Sequence, residues 1–248
     1  EGEYDVTVTV IDKTAPVAVA KQHIVISLTT GGNNDGIAKL FSNSVDNGSY
    51  DSCTPVHIEL RREDDPTRDN DGCGYTGNKT YNADGHPFDG SSNPTSPNYD
   101  PDNGAYVTFC CEDITNTETA IPFGLVKVWM RVWDDGDMNG IYGTAGDNYN
   151  ETWVEVRVED KLTPQIICPP TVTIDCDDDR HDLALTGEAR AFSNCLDLEV
   201  EYTDRDFLNN CNVGYVERTW RIKSRPSIIC TQYIYLRSVG GVFNEQNI

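Results

Sequence analysis

The residues best placed to do chemistry are acidic. Asp134, Asp135, Gly136, Asp137, Met138, Asn139 and Gly140 follow one another, and from Asp135 they read D-x-D-x-N-G. Oxygen ligands on alternate residues, then a Gly at the turn, are how a calcium loop begins. The pattern then stops. The twelfth position from Asp135 is Gly146 rather than Glu, and no helical sequence flanks it. This is no EF-hand. A calcium site at a hairpin tip, completed by Asp147 or Asn148, is one reading. A solvated turn is the other, because Asp, Asn and Gly are also what turns use for backbone reasons.

The elements around this loop must be strands. Val126, Val128, Met130 and Val132 alternate with Lys127, Trp129, Arg131 and Trp133. Thr152, Val154, Val156 and Val158 alternate with Trp153, Glu155, Arg157 and Glu159. Val56, Ile58 and Leu60 alternate with His57, Glu59 and Arg61. The apolar period is two, and no stretch carries the 3.6 period of an amphipathic helix. Later segments behave alike: Val172 and Ile174, Leu198 to Tyr202, Tyr215 to Ile222, and Tyr233 to Leu236. Short strands between turn-rich stretches predict an all-β chain of tandem Ig-like antiparallel β-sandwiches, about seven strands in each.

The sequence also repeats itself. VTVTVIDKTAP at 6–16 matches VEVRVEDKLTP at 154–164, and AKLFSNSVDNGSYDSC at 38–53 echoes ARAFSNCLDLEVEY at 189–202. The Pro after each Asp-Lys marks a domain start, since Pro fixes φ and restricts the residue before it. The expected division is 1–12 as the last strand of a preceding repeat, 13–160 as one domain, and 161–248 as a second. The first domain carries a polar insertion at 62–104, dense in Asp, Asn, Gly, Pro and Ser, read as a surface loop. Its acids are read as a solvated loop or a second calcium site, and its aromatics Tyr75, Tyr81, Phe88 and Tyr99 as anchors or a sugar contact.

Composition narrows the partners. The 248 residues hold 41 Asp plus Glu against 19 Lys plus Arg, a net charge of −22. Nucleic acid and anionic lipid both need a basic surface, so neither is expected. No stretch approaches the roughly 20 apolar residues of a membrane span. The opening EGEYDVTVTV is already in strand rhythm, without a signal-peptide pattern, so the chain reads as a piece of a longer exported protein. There is no G-x-S-x-G elbow, P-loop or H-E-x-x-H motif, and units of this size offer no deep cleft. The expectation is a protein that is not an enzyme.

Nine cysteines, Cys53, Cys73, Cys110, Cys111, Cys168, Cys176, Cys195, Cys211 and Cys230, come without a C-x-x-C pair, and the four histidines are scattered. Zinc ligation needs clustered ligands at short spacing. Structural disulfides in an oxidising compartment are the economical reading, with one cysteine left over. Trp129 and Trp133 share a strand face, with Trp153 on the next strand. They are expected as core packing, with a carbohydrate platform of coplanar rings as the alternative.

IDKTAPVAVA, VDNGSYDSC, VRVEDKLTPQIICPPTVTIDC, AFSNC and ERTW together resemble the repeats of the very large gliding-motility-type surface adhesins of the Bacteroidota, and the related hyalin-repeat (HYR) domains. The second unit matches through Asp160-Lys161, Cys168-Pro169, Cys176, Asn194-Cys195, Cys211, Arg218-Thr219-Trp220 and Cys230. The first matches at its ends and at Val45 to Cys53, and departs through the insertion. The resemblance implies a Cys168–Cys230 bridge, and Cys53 and Cys73 paired with the Cys110–Cys111 doublet. It also implies a secreted, extracellular protein of the bacterial cell surface, exported by type IX secretion and used in cell adhesion or gliding motility. A carbohydrate-binding accessory module of a secreted polysaccharide-degrading enzyme and a self-assembling filament subunit are the alternatives. Neighbouring repeats of the same chain are the expected partners, with a surface glycan or another cell-surface ligand beyond them.

In such a sandwich the incoming linker and two of the loops gather at one end. Here they bring Asp12, Asp46, Asp51, Asp134, Asp135, Asp137, Asn139 and Asp147. Carboxylates packed together repel by several kcal/mol at ~4 Å, and a hard divalent cation relieves that. Calcium (Ca2+) near Asp12 is therefore expected, with plain turns as the competing reading. Asp160, Asn194 and Asp197 form a poorer counterpart in the second unit.

Overall fold

A computed structural model describes residues 3–8, 10–30, 36–62 and 104–238. Residues 63–103 of the insertion, with Cys73, its acids and its four aromatics, lie outside the described residues. The chain divides into two compact units, Glu1–Lys161 and Leu162–Ile248. Both are built of strands. Described helical segments are single turns, at Ser42–Val45, Cys111–Asp113 and Leu183–Thr186.

Unit 1 has two sheets. The larger has the order β1-β7-β6-β4, from β1 (Ile24–Ser27), β4 (His57–Arg62), β6 (Phe123–Trp133) and β7 (Tyr149–Glu159). The smaller has the order β2-β3-β5, from β2 (Thr29–Thr30), β3 (Gly36–Phe41) and β5 (Tyr106–Cys110). The alternation in β6 and β7 sets which face is buried. Val128, Met130, Val132, Val156 and Val158 are wholly buried, with Leu60 from β4 and Phe109 from β5. Burying each such side chain stabilises by about 1.5–3 kcal/mol. Arg62 ties β4 to the turn after β5: its guanidinium binds both carboxylate oxygens of Asp113 and donates to the Thr108 carbonyl at 2.7 Å.

Unit 2 repeats this wiring. Its main sheet has the order β11-β12-β13-β9, from β9 (Val172–Asp175), β11 (Val200–Leu208), β12 (Gly214–Ile222) and β13 (Arg225–Arg237). A two-stranded sheet pairs β8 (Gln165–Ile167) with β10 (Arg190–Phe192). Ile174, Val216, Ile234 and Leu236 form an apolar cluster. Beside it sits a buried polar network. Arg218 is fully buried and grips Asp204 through Nε and Nη2, both at 2.8 Å. It also donates to Arg180 O and Thr186 Oγ1 and lies 4.0 Å from the centre of the Tyr202 ring. Two residues on, Trp220 donates to Gln232, whose own amide donates to Pro170 O and Thr186 O. The Arg-Thr-Trp string is thus a core motif: Arg and Trp point inward, and Thr219 between them points outward.

Purely antiparallel pairing is corrected in one respect. β1 runs parallel to β7, and β9 runs parallel to β13. The chain enters each unit beside its last strand, and two strands separated by the whole unit can pair in either sense.

The cysteines also differ from expectation. Cys168 and Cys230 are bridged, with Cα atoms 5.8 Å apart, and Cys110, Cys111 and Cys195 are disulfide-bonded as well. Cys53 is not paired with the doublet; it is an exposed free thiol. The backbone explains why. Cys53 belongs to the loop before β4, whereas the doublet ends β5 in the other sheet. Cys176 and Cys211 are also free, so more than one thiol is left over among the described residues.

Candidate metal sites

The predicted convergence at one end of unit 1 resolves into two separate acidic groups. In the first, ligand atoms of Asp12, Asp51 and Cys53 lie within 4.8 Å of one another. Asp12 is 8 % exposed. Its Oδ1 accepts the Thr14 N–H at 2.9 Å, and its Oδ2 is buried with no hydrogen-bond partner of good geometry. The Thr14 N–H holds the Asp12 carboxyl below the usual range, against the upward push of burial. Asp51 accepts the N–H groups of Cys53 and Thr54 through Oδ2, at 2.6 and 3.1 Å. The Cys53 thiol is pushed up, first by Asp12 and then by burial and the charges of Asp51 and Asp134. The shift favours the thiol over the thiolate, and the thiol is the poorer nucleophile.

Asp134 sits next to this group but is committed elsewhere. It is fully buried, and it accepts Asn148 N at 2.7 Å and Asn148 Nδ2 at 3.0 Å. The pair closes the base of the β6–β7 hairpin, where Asp134 N also donates to Asn148 O.

The second group is the hairpin tip, with Asp135, Asp137 and Asp147 inside the same 4.8 Å limit. Here the loop supplies its own donors. Asp135 accepts Asn139 N and Gly140 N, both at 2.9 Å. Asp137 accepts Asn139 N, Asn139 Nδ2 and Thr144 Oγ1. Asp147 accepts Gly136 N and Thr144 N. Met138 and Gly140 take positive φ, 57° and 77°, to close the turn. Burial, then Asp135 and Asp147, raise the Tyr142 hydroxyl, and its ring stacks on His57 with centroids 4.9 Å apart. The D-x-D-x-N-G string thus builds an acid-rich turn whose carboxylates already have partners.

Asp46 belongs to neither group. Its Oδ1 accepts Ser49 N at 2.8 Å, closing its own turn beside Ala20. Sequence reasoning missed two features. Cys53 was expected as a bridge partner, and proximity to Asp12 is a long-range fact that spacing does not carry. Asp175, Cys176 and Asp177 form a third group in unit 2; the run Asp175-Cys176-Asp177-Asp178-Asp179 was the signal. Asp160, at the end of unit 1, and Asn194, in unit 2, are buried, at 2 % and 9 % exposure.

The tryptophans reverse their expected role. Trp129, Trp133 and Trp153 lie on the face of the larger sheet opposite Val128, Met130 and Val154, and Trp153 is 55 % exposed. Trp220 alone is core, at 1 %. No protein-family model and no curated protein matches the chain.

Proposed function

We propose that the chain is a non-enzymatic stretch of a secreted bacterial cell-surface adhesin or filament, made of tandem Ig-like sandwiches stiffened by disulfides and calcium. The observation that carries this reading is the duplicated wiring. Each unit follows an Asp-Lys-x-x-Pro string, and in each an early strand runs parallel to the last one, β1 with β7 and β9 with β13. Residues 6–10 extend the series. They match Val154 to Val158, whose valines are at most 4 % exposed, yet Val6, Val8 and Val10 are 78–81 % exposed. This exposed apolar alternation lies outside any described strand, and in a sheet it would be covered; a neighbouring repeat would supply one. A self-assembling filament, in which a second copy supplies it, is the second reading that this exposed segment favours.

The disulfides support a compartment more oxidising than the cytosol. Among the described residues no helix is long and apolar enough to cross a membrane.

Calcium belongs at Asp12 and Asp51, where the buried Asp12 Oδ2 has no hydrogen-bond partner of good geometry and the Cys53 thiol lies beside both carboxylates. Binding at 100 times Kd adds about 2.7 kcal/mol to the folded state. Thermal melting in calcium against EGTA is then expected to differ by roughly 5–10 °C for unit 1. Asp12→Asn is expected to abolish the difference. Equal midpoints, with no bound calcium by elemental analysis, remove the cation from the proposal.

A further inference from the structure

The outer face of the larger sheet in unit 1 carries a feature that neither the cation nor the repeat explains. Trp129 and Trp153 are directly opposite each other on β6 and β7. The Lys127 ammonium lies 4.4 Å from the centre of the Trp129 ring and 5.2 Å from that of Trp153. Lys127 is itself opposite the exposed Glu155. One row further along, Leu125 is 53 % exposed. Side chains two residues apart on a strand are about 6.8 Å apart, close to the length of one sugar ring. The face therefore presents an indole row, a row with one hydrogen-bond donor group and one acceptor group, and a row in which the exposed Leu125 lies opposite Arg157.

We propose that this face binds a neutral polysaccharide. The apolar C–H face of a pyranose stacks on the Trp153 indole. Adjacent hydroxyls are met by Lys127 as donor and Glu155 as acceptor, and Leu125, two rows or about 13.6 Å from the indole row, lies under a ring further along the chain.

Charge decides the class of ligand. Lys127 offsets Glu155, and Arg157 is paired with Glu159 at 2.6 Å. The face thus has no excess of positive charge, and the chain around it carries −22. Anionic glycans, nucleic acid and anionic lipid are repelled. A second copy of this chain brings the same −22 and no net positive charge to meet Glu155. An apolar protein partner would have to desolvate Lys127 and Glu155 at the centre of the contact. A sugar meets both groups with hydroxyls and leaves neither unpaired. Unit 2 has a related surface, where Phe207 stacks on Tyr215 and Tyr235 follows across the outward side of its main sheet.

The test is affinity electrophoresis of the full chain through mixed-linkage β-glucan, xylan, mannan and agarose, with alginate as the anionic control. Runs in calcium and in EGTA separate this site from the cation site. At least one neutral polysaccharide is expected to retard the protein and perturb its Trp fluorescence. Trp153→Ala is expected to weaken retardation at least tenfold, with an unchanged melting midpoint. Lys127→Met is expected to weaken it by a smaller factor. Retardation by none of the neutral polymers overturns the proposal, as does retardation by alginate alone or full binding by Trp153→Ala. A concentration-dependent dimer in sedimentation that Trp153→Ala abolishes assigns the face to a second copy, and overturns it as well.

Discussion

Arg218→Met is expected to destabilise unit 2 by about 3–5 kcal/mol, the cost of leaving a buried charge without its partner. Total stabilities of single domains run about 5–15 kcal/mol, so this one change removes a large share. The carboxylate of Asp204 loses both guanidinium bonds, and Arg180 O and Thr186 Oγ1 each lose a donor. The hydrocarbon of Met fills the space without replacing any of them. Urea unfolding should show a lower midpoint with an unchanged slope. The double change Arg218→Met with Asp204→Leu separates a charge effect from a packing effect. If the loss comes from the stranded carboxylate, the pair recovers much of it. A single variant within 0.5 kcal/mol of the parent, on the order expected for a surface change, would show that the network contributes nothing.

Removing the Cys168–Cys230 bridge is expected to be comparably damaging. The residues are 62 positions apart, and closing a loop of that size restricts the unfolded chain by about 4 kcal/mol in the chain-entropy account. For a domain of under 100 residues that corresponds to a fall of roughly 15–30 °C in Tm. The measurement is calorimetry on the double Cys168→Ser, Cys230→Ser variant. Reduction with thiol is a poorer test, because Cys110, Cys111 and Cys195 are bonded too. A melting midpoint that does not move would mean that packing alone holds the last strand in place.

Much of this was legible because period-two alternation is a local property. Val126 to Val132 and Val154 to Val158 announced two strands and their buried face, and the structure places them there. The tryptophans show how a local signal can be overruled wrongly. The alternation already grouped Trp129 and Trp133 with Lys127 and Arg131, on the outward side. Ring size argued for the core, and period decided the outcome. The parallel sense of β1 and β9 was not legible, because it depends on where the chain re-enters a sheet after a whole unit. The acidic residues were picked out by type, but their grouping was not legible. Asp46 and Asp51 are five residues apart, yet one closes its own turn while the other meets Asp12 across 39 positions.

The bridge in unit 2 has a mechanical consequence. Cys168 follows β8, and Cys230 lies within β13, so tension entering at one end of the unit crosses from residue 168 to residue 230 through sulfur. The polypeptide between them is bypassed. Unravelled, 62 positions would lengthen by about 20 nm at 3.3–3.6 Å each; with the bond intact, none of that length is released. Under a pull, an oxidised unit is a spacer with a fixed maximum span, and its reduced form is a far more extensible tether.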